Sequence, residues 1–366
     1  MSESFSKRDS VCLKGIAILI MMFHHCYRSK DRFEDYVVDF RPFDMEFVVD
    51  VSDYFKICVS IFAFITGYGL YLSARNRCKD VASTERWIYE RLIKTLSGFW
   101  FVYALVFVVT QIYAGYPVEI YFGQGGIRGV IYALIDFLGL ANLLESPTLV
   151  GTWWYMSAAV IYIVLYPVFV KWTQKLGYTT LFMAIAFLPR CVSGNIYPGG
   201  MAVYTFLFPL LLGMLFSQYD VFSKLYALKI SENKTLDFCV QFLVYHVLLI
   251  GSVVLWVRFP RDVAWEYHAG LAPLIFICYC KKYLVRMPGI RDFLFFCGKH
   301  SMNIFLVHSF IRYVFFEEFT YSFKYFCLIV VVLFTISMGI SILIELLKKW
   351  TNYDGFVNVV CEKIRS

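Results

Sequence analysis

Charge is what this sequence has least of. Only 17% of its 366 residues are Asp, Glu, Lys or Arg, against about 25% in ordinary soluble domains. Disorder is excluded, because it requires low hydrophobicity together with high net charge. There is no Cys-x-x-Cys pair and no Cys/His spacing of the metal-binding kind, so neither a zinc site nor a disulfide framework is expected. The 11 Cys lie mostly inside apolar runs, as at Cys58, Cys239, Cys278 and Cys327, where cysteine behaves as a small hydrophobe. No internal repeat or low-complexity linker stands out. The apolar run behind Lys7 and Arg8 is interrupted by His24 and His25 with no small-residue cleavage site after it, so a cleaved signal peptide is not expected.

What is present is apolar. Hydrophobic residues make up 60% of the chain and aromatic ones 20%, with 37 Phe and 27 Tyr. One water-soluble core of this length could not hide them, which leaves an integral membrane protein. A hydrocarbon core of about 30 Å needs roughly 20 apolar residues per helix. Candidate spans read as 11–28, 54–74, 96–114, 153–171, 178–192, 201–217, 237–257, 267–285, 301–317 and 325–347. A further stretch, 127–144, carries Arg128, Asp136 and Asn142 and reads as interfacial or re-entrant.

The net charge of +7 reads as orientation rather than nucleic-acid binding, because Lys and Arg gather in cytoplasmic loops. The loop from Arg28 to Asp53 is acidic, holding Asp31, Glu34, Asp35, Asp39, Asp44, Glu46, Asp50 and Asp53. The next, from Arg75 to Lys94, is basic. This alternation continues along the chain and places the acidic loop outside. The expectation is an all-α polytopic bundle of about ten transmembrane helices with both termini cytoplasmic. It forms a single membrane domain over 1–366, with a short N-terminal segment 1–10 and a tail 348–366.

Ionisable residues inside spans are functional candidates, because they are costly to bury. On a helix turning about 100° per residue, Lys14 and His25 lie eleven steps and roughly 1100° apart, within about 20° of the same line. They are separated by about 16 Å along the axis, while His24 falls about 80° away. A Lys snorkelling to the interface beside headgroup-exposed His is the structural alternative. Arg91 and Lys94, three apart, point from one helical face and suit phosphate, though ordinary cytoplasmic loop charge would also explain them. His308 and Arg312 sit one turn apart in a late span, and Trp153 opens an earlier one. Substrate contact is the functional reading of these three. An interhelical hydrogen bond for His308 and an aromatic belt for Trp153 are the structural ones.

Several strings resemble the integral-membrane acyltransferases of the acyltransferase-3 type. LKGIAILIMMFHH is similar to that family's first helix, in which Arg or Lys is followed after ten residues by His; Lys14 and His25 fit this spacing. VSIFAFITGYGLYLS, WYMSAAVIYIVLYPVF and GKHSMNIFLVHSFI resemble its later spans. The resemblance implies transfer of an acyl group, often acetyl from acetyl-CoA, to a hydroxyl of an extracytoplasmic glycan or similar acceptor in the cell envelope. It assigns His25 as general base or acyl carrier, and the pair Arg91 and Lys94 as the contact to the CoA phosphates. The family's second Arg is Lys here, and the Pro that follows it is missing. The site so implied is His25, Lys14 and His24 for catalysis, Arg91 and Lys94 for the donor, and His308, Arg312 and Trp153 for substrate. No metal is expected. The implied partners are acyl-CoA, a carbohydrate or other hydroxyl acceptor and the lipid bilayer of a plasma or inner membrane, without nucleic acid; a homo-oligomer is compatible. A flippase or transporter for a lipid-linked saccharide is the rival reading, although no repeats or broken helices of that kind are visible in the sequence.

Overall fold

The structure is a computed structural model and describes residues 5–123, 125–193, 203–261 and 263–365. Residues 1–4 of the N-terminal segment, 201–202 of the sixth expected span and Ser366 of the tail lie outside the described residues. In chain order the first α-helices are α1 (Lys7–Tyr27), α2 (Met45–Tyr54), α3 (Ile57–Ala74), α4 (Val81–Ala114) and α5 (Gly126–Phe137). Next come α6 (Trp154–Val164), α7 (Tyr166–Ser193), α8 (Leu207–Gln218), α9 (Val221–Ala227) and α10 (Lys234–Arg258). The last are α11 (Ala272–Lys282), α12 (Pro288–Ser309), α13 (Glu317–Tyr321), α14 (Phe326–Trp350) and α15 (Tyr353–Arg365). Among the described residues the only extended pairing is a single bridge, Asp39 to Tyr325.

Polar caps set the starts of the long helices. Ser6 opens α1 with a reciprocal box, its hydroxyl accepting from Asp9 N–H at 3.1 Å while Asp9 accepts from Ser6 N–H at 2.8 Å. Asp80 and Ser83 do the same for α4, which ends on Gly115 in the left-handed region at φ 63°, the usual helix stop. Among the described residues five stretches are long and apolar enough to cross a membrane: Lys7–Tyr27, Met45–Ala74, Val81–Ala114, Lys234–Arg258 and Phe326–Trp350. A sixth follows if Gly151–Val164 and Tyr166–Leu188, bent by 58°, are taken together.

The apolar windows expect more, and the difference has a physical cause: such windows count side chains and are blind to breaks in the backbone. The span expected at 153–171 contains that bend at Leu165, and Gly177, just before the span expected at 178–192, interrupts α7 at φ 76°. The window 201–217 is α-helical only over Leu207–Gln218. The window 267–285 opens with a π-helical turn, Tyr267–Leu271, before the 11-residue α11. The window 301–317 is cut by another π turn, Phe310–Phe315. In 127–144 the helix α5 has 12 residues, about 18 Å, which is short of a bilayer core.

The chain packs as two compact units. The first comprises 1–73, 172–301 and 321–330; the second comprises 74–171, 302–320 and 331–366. In the first unit, glycines bring helix backbones together. A Cβ on Gly15 of α1 would run into the carbonyl oxygen of Leu294 on α12, and one on Gly298 into that of Val11. Gly67 of α3 and Gly213 of α8 repeat this reciprocity, against Leu210 and Phe64. Small residues are what membrane helices use to approach closely. By contrast α10 is barely covered along its length, with Leu243, Val247, Ile250 and Val254 all exposed. An apolar face of that size marks a surface for lipid or for another protein.

The second unit is built around α4. Phe99, Val102 and Tyr103 pack with Trp153, Met156, Leu306 and Phe310 in one buried cluster. Its connection over 115–152 is organised by Asp136, 1% exposed. Its carboxylate accepts from the Tyr121 hydroxyl at 2.6 Å, Leu149 N–H at 3.0 Å and the Thr148 hydroxyl at 3.0 Å. Burial pushes the Asp136 carboxyl up to about 6 against the pull of these donors.

Candidate active site

The two adjacent histidines of α1 are in different circumstances. His24 is 5% exposed, and its Nδ1 lies 2.7 Å from the carbonyl oxygen of Ser52 on α2. A carbonyl can only accept, so Nδ1 carries the proton and donates it. The Ser52 hydroxyl returns two contacts, donating to Phe23 O at 3.2 Å and to His24 O at 3.4 Å. His24 is therefore a stitch between α1 and α2. His25 is only half-buried, as is Lys14 below it. Its backbone carbonyl is held by Arg32, whose guanidinium donates at 2.6 Å. The helical line from Lys14 to His25 read from the sequence survives, because α1 is unbroken over Lys7–Tyr27.

Arg91 and Lys94 both stand on α4 in the second unit, yet their surroundings differ. The Lys94 ammonium donates to Glu90 Oε1 at 2.5 Å, while the Arg91 guanidinium lies over the Trp87 ring, 5.9 Å from its centroid. Glu90 is 1% exposed and also accepts from Arg77 and from Arg365 of α15. Three cations around one carboxylate leave local positive charge in excess. The Glu90–Lys94 pair is the i, i+4 arrangement of an ordinary helix and is legible in the sequence. Arg365 arrives from the far end of the chain and is not. Tyr353 helps seat α15, donating from its hydroxyl to Ser97 O at 2.9 Å.

Also in the second unit, His308 is fully buried. Its Nδ1 faces the carbonyls of Phe305 at 2.9 Å and Ile304 at 3.1 Å, and its Nε2 lies 3.1 Å from Ser309 Oγ. Thr152 donates to that Ser309 oxygen at 3.1 Å. One consistent chain follows: Thr152 hydroxyl to Ser309, Ser309 hydroxyl to His308 Nε2, His308 Nδ1–H to carbonyl. Trp153 is brought beside it, its indole N–H donating to Leu306 O at 3.0 Å and its ring packed on Phe99 and Phe310. Both the N–H and the ring are thus engaged in the core. Arg312 is buried in the π turn, with its guanidinium 4.6 Å from the centre of the Tyr313 ring. No cluster of three or more His, Cys, Asp or Glu that could hold a metal occurs among the described residues.

Sequence reasoning passed over a polar group in the first unit. Asp53, at the end of α2, accepts from the Trp256 indole N–H at 2.9 Å and pairs with Arg261. The Arg261 guanidinium covers the Trp256 ring at 5.4 Å and His268 packs on it at 4.3 Å between centroids. Only the acidic character of the 28–53 loop hints at this group in the sequence.

An all-helical protein with apolar spans, a His-bearing first helix and a basic helix start defines the class as a polytopic membrane protein. The acyltransferase-3 family model, described as an acyltransferase domain, matches residues 11–346, so the chain belongs to that family of membrane acyltransferases. No curated protein and no solved structure matches it.

Proposed function

We propose that the protein transfers an acyl group, acetyl by preference, from acyl-CoA to a hydroxyl of an extracytoplasmic glycan or similar acceptor at a plasma or inner membrane. The observation that carries this reading is the division of labour on α1. His24 is buried with its Nδ1 held on Ser52 O, whereas His25 is half-buried on the line of Lys14. An imidazole near neutral pKa suits proton transfer at physiological pH. With His25 as base, the acceptor oxygen attacks the thioester carbonyl and its proton passes to the imidazole. The C–S bond then breaks, and the imidazolium returns the proton to the leaving CoA thiolate, giving the ester and free CoA. An acyl-imidazole on the same ring is the other route the chemistry allows.

The donor's phosphates meet Arg91 together with the cations gathered at Glu90. Charge-assisted contacts are worth about 1.5–3 kcal/mol each. Arg91→Ala is therefore expected to raise the acyl-CoA concentration for half-maximal rate about tenfold or more. Acetyl-CoA titration of purified, folded variant protein measures this, and an unchanged donor dependence would remove Arg91 from the site.

The orientation that this reading needs places 29–53 and 115–152 outside. A cysteine at the exposed Glu119, in a background cleared of reactive thiols, should react with an impermeant maleimide in intact cells. One at the exposed Lys79 should react only after lysis. The reverse pattern would invert the topology and separate donor and acceptor from their proposed sides.

A further inference from the structure

One cleft of the first unit lies beyond the residues assigned to acyl transfer. It measures about 310 Å³ and is lined by Arg28, Asp50, Asp53, Trp256, Arg261 and His268 among others. Clefts that hold small ligands run from about 300 to 1,000 Å³, so this one is at the size for a single ring. Its place is set by α1. Arg28 is the C-cap of that helix, its backbone N–H donating to His24 O. It follows His25 by three residues, which puts it on the neighbouring helical position roughly 4.5 Å further along the axis. The opposite wall is the last turn of α2, the same turn that Ser52 and His24 tie to α1. The cleft thus begins one turn beyond His25, on its side of the helix.

The charges of the lining balance, with Arg28 and Arg261 against Asp50 and Asp53. Asp53 is already satisfied by Arg261 and Trp256. The Asp50 carboxylate and the Arg28 guanidinium, both exposed to the cleft, make no hydrogen bond or ion pair among the described residues. A carboxylate can accept from two neighbouring hydroxyls, and a guanidinium donates from a fork. An anionic ring would face Asp50, and a cationic one Arg28. The arrangement therefore favours many hydroxyls and no net charge.

We infer that this cleft is the acceptor site and that it takes an uncharged sugar residue in preference to a uronic acid or an amino sugar. The inference rests on the acyltransferase reading above and names its substrate class. The test uses the full chain in lipid nanodiscs with labelled acetyl-CoA. Methyl β-glucoside, methyl β-glucuronide and methyl β-glucosaminide serve as neutral, anionic and cationic acceptors. The glucoside should be esterified with kcat/KM at least tenfold above either charged glycoside. Asp50→Asn and Arg28→Gln should each raise its KM about tenfold with a smaller change in kcat. A charged glycoside as the better acceptor, or wild-type KM in both variants, would overturn the inference.

A second readout separates this from failure of the transfer chemistry. Val49 lines the same cleft, and the reaction of a Val49→Cys thiol with a maleimide, corrected for native thiols, reports occupancy without any donor. Protection by the glucoside but by neither charged glycoside, with no ester formed on any of them, would uphold the cleft and sink the acyltransfer step. No protection by saturating glucoside would sink the cleft itself.

Discussion

His25→Ala protein is expected to insert, fold and transfer no measurable acyl group. General acid–base catalysis alone is worth about 10²–10⁴-fold, and loss of a nucleophile would cost more. The ring of His25 is half-buried where that of His24 is buried, so its removal should lower the melting temperature less than His24→Ala does. His24→Ala has the opposite signature. It strips the donor from Ser52 O and opens a hole between α1 and α2, which costs about 1–3 kcal/mol for the unsatisfied carbonyl alone. Less folded protein should be recovered, but turnover per folded molecule should stay within a few-fold of wild type. Measured side by side, the pair separates chemistry from architecture. An active His25→Ala would take the imidazole out of the reaction, and an inactive but fully stable His24→Ala would exchange the two roles.

The largest effect on folding is expected at Gly15 and Gly298. A methyl group at either meets a backbone carbonyl of the facing helix, which cannot rotate away as a side chain can. Overpacking of this kind costs about 1–3 kcal/mol and occasionally more, and here it must be met by parting α1 from α12. Gly15→Ala should lower the melting temperature in detergent by several degrees or prevent recovery of folded protein. Gly298→Ala should do the same, and the double variant should lose less than the sum, because both methyls force the same separation. Gly69→Ala and Gly251→Ala are the controls. Nothing lies within contact distance of a Cβ at those positions, so relief of the glycine helix penalty, about 1 kcal/mol, should leave them neutral or more stable. A Gly15→Ala that melts with the controls would show that the helices are held by something other than this contact.

Much of the candidate site is readable from spacing, because it depends on helical periodicity inside one unbroken element. The choice of His25 over His24 is of that kind, and so is the Glu90–Lys94 pair. What escapes the sequence depends on contacts between distant segments. Ser52 as the partner of His24, Arg365 at Glu90 and Arg261 at Asp53 are each set by tertiary packing that no local window contains. The spans divide in the same way. The run 96–114 lies within a long helix and 325–347 does so from Phe326 on, while 267–285 and 301–317 carry π turns that composition does not register. Gly177 was visible as a residue, but its left-handed backbone was not.

The nearly bare flank of α10 ties the cleft beside Trp256 to bilayer thickness. That helix has 25 residues, about 37 Å, against a hydrocarbon core of about 30 Å. A long helix meets such a mismatch by tilting, and this one is restrained mainly on the side of α11 and α2. Two residues from its end stands Trp256, which holds Asp53 and carries Arg261 across its ring. Thinner or thicker membranes should therefore shift one wall of the cleft lined by Trp256 and Arg261. Lipid composition belongs with the cleft's own residues among the determinants of its shape.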